Sequence, residues 1–179
     1  MDKNKHGLIL IIITILFSLI LILNYDFLIN YDWLSLGYVG LFIVMFVTSA
    51  TVILPLPGLA VTTLAGAFAD PILIGIIGGL GSTLGELVGY YFGYGGGEII
   101  NSKKYSDIKE QIRKSKGVAP LIFIFSLIPN PLFDFVGIAS GALKYPVWKF
   151  FLACLAGKII KVALFAYAGD NILGFLLNI

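Results

Sequence analysis

Apolar residues run almost unbroken along this chain: positions 8–23, 36–69, 71–97, 118–143 and 145–177 are interrupted only by glycine, proline or single polar residues. Runs of this length predict helices that cross or enter a bilayer, since about 20 apolar residues in helix span its roughly 30 Å hydrocarbon core. Two runs carry a break inside them. Proline withholds a backbone donor and disfavours helix in the residue before it, so the chain is expected to turn at Pro55, Pro57 and Gly58, and again at Pro129 and Pro131. The limbs that follow, Gly58 to Ala69 and Leu132 to Leu143, hold 12 residues each. As helix that is about 18 Å, too short to cross, so both limbs are predicted to be re-entrant. Carbonyls freed at such breaks are tolerated only against protein or water, which places both tips at an interior cavity.

The two broken segments are also copies. Leu54 to Pro71 reads LPLPGLAVTTLAGAFADP and Ile128 to Pro146 reads IPNPLFDFVGIASGALKYP. Pro55 and Pro57 fall on Pro129 and Pro131, Gly66-Ala67 on Gly141-Ala142, and Pro71 on Pro146, after one inserted residue. Downstream, Glu86 falls on Lys161. Duplication in a membrane protein points to a transporter-like architecture in which broken helices from two repeats meet near the midplane.

Charge sets the direction in which each copy enters. Ten of the twelve Lys and Arg residues lie at Lys3 and Lys5, between Lys103 and Lys116, and at Lys144 and Lys149. These segments are cytoplasmic by the positive-inside rule, and Asp26, Asp32, Asp70 and Asp170, in segments free of basic residues, fit the opposite side. The first helix then runs outward, 34–69 dips in from outside, 72–95 crosses inward, 118–143 dips in from the cytoplasm and 147–168 crosses outward. The expected fold is thus all-α and polytopic, an inverted repeat of two proline-broken hairpins, each followed by a transmembrane helix. An N-terminal anchor and outer loop occupy 1–33, and a membrane domain 34–179 holds repeat 1 (34–97), a cytoplasmic amphipathic linker helix (98–117) and repeat 2 (118–170). The first run lacks a small-residue cleavage pattern at Ile22-Leu23-Asn24-Tyr25-Asp26, so it is read as a retained anchor. A multi-pass protein of the cell (plasma) membrane with a cytoplasmic N-terminus is expected.

Polar groups inside the apolar runs are the candidates for chemistry. Glu86 lies near the middle of a predicted span, with Tyr90 and Tyr94 on the same stripe; Lys158 and Lys161 lie at comparable depth in the second repeat, on one face. A charge at mid-membrane costs roughly 2.5 to 3.5 kcal/mol on the most lenient scale, so these groups should pair or line a wet cavity. Two readings stand: a structural Glu86–Lys161 bridge tying the repeats together, or a hydrated path in which the lysines attract an anionic headgroup. Asn130 and Asp134, at the second hairpin, belong to the same candidate path, with helix capping as the alternative for Asp134. Gly81, Gly85, Gly89 and Gly93 recur every fourth residue and predict a face for close helix packing.

Composition narrows the class further. The chain is 59% hydrophobic and 12% charged, with a mean hydropathy of +0.98, far from the balance of a soluble domain. One cysteine, Cys154, and one histidine, His6, leave no disulfide framework, no metal site and no Ser-His chemistry. Gly93 to Gly97 is no phosphate loop, since no strand precedes it and no Lys-Ser/Thr follows. Tyr25-Asp26, Tyr31-Asp32 and Gly169-Asp170 lie at predicted membrane borders, unlike an intramembrane protease pair. No enzymatic activity and no cofactor are expected; membrane lipids are the expected partners, self-association into a homo-oligomer is allowed, and nucleic acid is not a partner.

The chain resembles the DedA/VTT superfamily of membrane proteins over roughly residues 36–170. The resemblance rests on Pro55-Leu56-Pro57-Gly58 followed by Ala65-Gly66-Ala67, on GELVGYYFG from Gly85 to Gly93, and on IPNPLFDFVGIASGAL with Gly157 downstream. It implies facing re-entrant hairpins and a scramblase- or flippase-like lipid transporter that moves phospholipid or polyprenyl phosphate between leaflets. An ion-coupled small-solute transporter and a non-transporting scaffold are the alternatives. An acidic residue after P-x-P-G and arginines bracketing the second-repeat proline, found in many bacterial members, are replaced here by Leu59, Ser126 and Leu132.

Overall fold

The computed structural model describes residues 3–23, 36–50, 58–99, 117–129 and 133–177. They form helices α1 (Lys3–Leu23), α2 (Gly37–Ala50), α3 (Gly58–Gly66), α4 (Pro71–Ile99), α5 (Val118–Leu127), α6 (Phe133–Ala142) and α7 (Val147–Leu177), with no strand among the described residues. Pro55, Pro57, Asn130, Pro131 and most of the 98–117 linker lie outside the described residues.

Two stretches are long and apolar enough to cross a membrane, Pro71–Gly97 in α4 and Val147–Ile172 in α7. Helices α2, α3, α5 and α6 are shorter. At 1.5 Å per residue α3 and α6 reach only about 14 and 15 Å, and α2 and α5 about 21 and 15 Å. The outward faces are apolar, with Ile72 and Phe135 each 68% exposed and Leu164 62%, as suits side chains whose solvent is lipid rather than water.

Element boundaries differ from those read off the sequence. The limbs expected to be 12 residues long are helices of nine residues (α3) and ten (α6). In the first, the chain turns at Ala67 and Phe68, and Asp70 then caps α4: its Oδ1 accepts from the amides of Ile72 (2.8 Å) and Leu73 (3.0 Å). Pro71 occupies the first helical position, where its missing donor costs nothing. In the second, Tyr145 donates to the Ser140 carbonyl (2.9 Å) and Lys144 to that of Gly141 (2.8 Å), a Schellman closure with Lys144 in the left-handed region at φ 52°. Asp70→Ala should lower the unfolding free energy by about 1 kcal/mol, checked by thermal unfolding of the purified protein in detergent.

The span expected over 72–95 continues through the glycine-rich Gly93–Gly97 segment to Ile99. Glycine disfavours helix, but α1 packs here: a methyl on Gly95 would meet the Gly7 carbonyl and the Leu10 and Ile11 side chains. Tertiary packing overrides propensity. The second long helix likewise runs past the expected residue 168, to Leu177.

Packing is reciprocal between the two halves. α2 lies along α4 and α5 along α7, while α4 and α7 cross each other. The short helices, however, find their main partners in the opposite half: α3 against α7, and α6 against α4. Glycines make each approach possible. A methyl group on Gly66 would collide with the backbone of Ala166, and one on Gly169 with that of Thr63; in the other half Gly141 meets Tyr90 and Gly93 meets Ile138.

The glycine stripe on α4 is therefore shared. Gly81 and Gly85 seat α2, against Phe42 and Phe46, while Gly93 seats α6. A second stripe, Gly75 and Gly79, seats α7 against Ala163 and Ile159. Two apolar clusters result, one built on Leu41, Met45, Ile74, Val162 and Ala166, the other on Tyr90, Ile122, Phe133, Tyr145, Phe150 and Cys154. Along both long helices the buried charged residues fall between the clusters: Glu86 between Ile74 and Tyr90, Lys158 between Cys154 and Val162.

Candidate functional site

Ser82 and Glu86 stand one turn apart on α4, as Lys158 and Lys161 do on α7, so each pair shares a helix face. Glycine brings the surrounding helices within reach. Gly85 lets α2 approach until Ser49 lies beside α4, and Gly157 presses α7 onto Phe123 and Ser126 of α5.

Lys158 Nζ donates to Glu86 Oε1 at 2.5 Å and to Ser82 Oγ at 2.6 Å, with Ser49 Oγ at 3.4 Å and the Ser82 carbonyl at 3.5 Å. The Lys158 and Glu86 side chains are only 4% and 6% exposed. Ser49 and Ser82 share a further hydrogen bond of 2.9 Å, and the ammonium sits 5.3 Å from the centre of the Phe133 ring, a distance that adds cation–π attraction. A lysine has three N–H donors, and here all three are directed at protein acceptors. Buried charge of this kind is tolerated only when paired and hydrogen-bonded, and this pair is both.

Beside the pair lies a pocket of about 150 Å³. Met45, Thr48 and Ser49 line it from α2, Ser82 and Glu86 from α4, and Lys158 and Lys161 from α7. The remaining walls are the first residues of both short helices, Gly58 and Leu59 of α3 and Phe133 and Asp134 of α6. Each short helix follows a P-x-P motif directly, so the two copied motifs deliver their helices to one place.

Glu86, Lys158, Lys161, Asp134 and Gly58 are thus brought together as the sequence suggested. The pairing is not the expected one. The repeat alignment set Glu86 opposite Lys161, whereas the ion pair is made by Lys158, one turn earlier on the same face. Equivalence between repeats fixes topology, and contact depends on how α4 and α7 cross. The Lys161 side chain forms no ion pair or hydrogen bond with any described residue.

Tyr90 lies away from the pocket. It is 2% exposed, its hydroxyl donates to the Tyr145 carbonyl at 2.5 Å, and its ring centre is 5.2 Å from that of Phe150. One turn beyond Glu86, the α4 face meets the aromatic cluster rather than the polar layer. Pro129 is exposed and lines no part of the pocket. Cys154 is fully buried in that aromatic cluster, its Sγ 3.9 Å from Thr83 Oγ1.

Ser49, Ser82, Thr48 and Phe133 did not stand out in the sequence. The available signal was Ser82 four residues before Glu86, a second polar group on one face of an apolar helix.

A polar layer buried between apolar clusters, within two helices able to cross a bilayer and an apolar exterior, defines an integral membrane protein. The VTT domain matches residues 56–171, which hold the whole site except the α2 wall, and the chain belongs to the VTT domain family. Vacuole membrane protein KMS2 of Arabidopsis thaliana is 34% identical over 103 residues, 48% of this chain and 25% of that protein. The Dictyostelium discoideum vacuole membrane protein 1 homolog is 50% identical over 42 residues, 24% of this chain and 10% of that protein. Human vacuole membrane protein 1 is 28% identical over 104 residues, 46% and 26% of the two chains. The aligned part makes up about a quarter or less of each of these relatives. No solved structure matches the chain.

Proposed function

We propose that this protein moves lipid headgroups between leaflets, along a polar path that runs through the pocket where α3 and α6 begin. The observation that carries this reading is the buried Lys158–Glu86–Ser82–Ser49 network in the middle of two membrane-length helices. Ionisable groups at that depth are costly and mark substrate and ion paths. The reciprocal packing of α3 on α7 and α6 on α4 supports an inverted repeat, and helices of about 14 and 15 Å support re-entrant hairpins. On this reading α1 is the N-terminal anchor, the N-terminus is cytoplasmic and the protein resides in the cell membrane.

Reconstitution into liposomes containing an acyl-labelled fluorescent phospholipid tests the proposal. Protein-dependent dithionite bleaching of the inner leaflet is expected; bleaching that stops at the outer leaflet overturns it. Lys161→Met should slow transfer about tenfold, the loss of one charge-assisted contact, while leaving the Glu86–Lys158 pair intact.

The near-complete burial of that pair favours one competing reading, an ion-coupled carrier of a small solute with an enclosed site. Such a carrier would acidify or deplete the liposome lumen only when its solute is supplied, and would leave lipid asymmetry untouched.

A further inference from the structure

The pocket is lined by four charged residues, and a close ion pair joins two of them. Lys158 and Glu86 neutralise each other, and every donor of Lys158 is directed at Glu86, Ser82 or Ser49. Lys161 and Asp134 line the same cavity from α7 and α6, yet they make no ion pair with each other and no side-chain hydrogen bond to any described residue. Opposite charges that line one partly buried pocket without closing on each other in an ion pair leave a space that one neutral dipolar group can fill. About 150 Å³ has room for roughly five waters, or for one small polar group.

We propose that Lys161 and Asp134 form a zwitterion subsite, in which Lys161 takes a phosphate and Asp134 takes the ammonium joined to it by a short linker, as in a phosphoethanolamine headgroup. The proposal rests on the lipid-transport reading only in taking a lipid as the carrier of this group. A phosphate alone would satisfy Lys161 and meet the Asp134 carboxylate as a like charge, so the pair selects against purely anionic headgroups. Negative selection of this kind is a common route to specificity. Asp134 also lies in the first turn of α6, where a carboxylate favours the helix dipole. That structural role would change stability and leave headgroup choice alone.

The test is calorimetric binding to the full chain in detergent, using short-chain phosphatidylethanolamine, short-chain phosphatidylglycerol and the lipid-free glycerophosphoethanolamine. Phosphatidylethanolamine should bind about tenfold more tightly than phosphatidylglycerol, the worth of one charge-assisted contact. Asp134→Asn should erase that ratio by weakening phosphatidylethanolamine and strengthening phosphatidylglycerol, and Lys161→Gln should weaken both lipids. Equal affinities in the native chain, or an Asp134→Asn variant that keeps the ratio, overturn the proposal. Glycerophosphoethanolamine that matches the lipid assigns the subsite to the headgroup alone; weaker binding assigns it to a lipid entering with its chains. Binding is read without transport, so selective binding in a chain that fails to scramble would sink the transport reading and leave the subsite standing.

Discussion

Lys158→Met is expected to remove about 3 to 5 kcal/mol of stability, because Glu86 would be left charged, buried and without its counter-ion. For a chain of this size the melting temperature in detergent should fall by roughly 10 °C or more. The informative comparison is the double variant Glu86→Gln with Lys158→Met. It removes both charges together, leaves Ser49 and Ser82 bonded to each other, and should recover most of the loss. Replacing a buried ion pair outright is often close to neutral, whereas breaking it is not. A double variant that melts no higher than Lys158→Met would show that the lysine stabilises by packing against Phe133 and not by pairing. The same double variant separates clasp from path: a stable chain that transports nothing would place the pair in the function itself.

The second large effect is expected at the helix crossings. Gly141→Ala places a methyl where the Tyr90 carbonyl and the Tyr94 amide now lie. Backbone atoms cannot rotate away as a side-chain tip can, so α6 must move off α4. Overpacking of this kind costs about 1 to 3 kcal/mol or more, outweighing the roughly 1 kcal/mol that alanine gains over glycine in a helix. Gly96→Ala is the control, since nothing lies within 4 Å of the added methyl, and it should be neutral or mildly stabilising. Opposite signs in thermal unfolding for two chemically identical substitutions would tie the loss to the crossing. Loss in both would point instead to a general need for glycine in this sequence.

Much of this architecture was legible in the sequence, because hydropathy and proline act locally. The apolar runs located the long helices, and the two P-x-P motifs located the starts of the short ones. Most of what was not legible depends on contacts distant in the chain. The limbs stop short of Pro71 and Pro146 because of a cap and a Schellman turn, whose partners lie within a few residues but whose geometry no hydropathy pattern specifies. The Gly93–Gly97 segment remains helical because α1 lies against it. The lysine that pairs with Glu86 is set by the crossing of α4 and α7, and a repeat alignment carries no information about that angle. Ser49 and Ser82 were silent for another reason: serine is unremarkable in an apolar helix until a buried ammonium arrives beside it.

The exchange of short helices between the halves also constrains how the chain is made. As synthesis proceeds, α3 emerges long before Ala166 and Gly169 exist, so the small-residue surface it presents at Gly66 has nothing to close on. α6 meets no such delay, since α4 is already in place when it emerges. α3 must therefore wait for its main packing partner until α7 has been made. Pairings this remote in sequence form slowly, and a chain that stops before α7 leaves the Gly66 face of α3 without its partner.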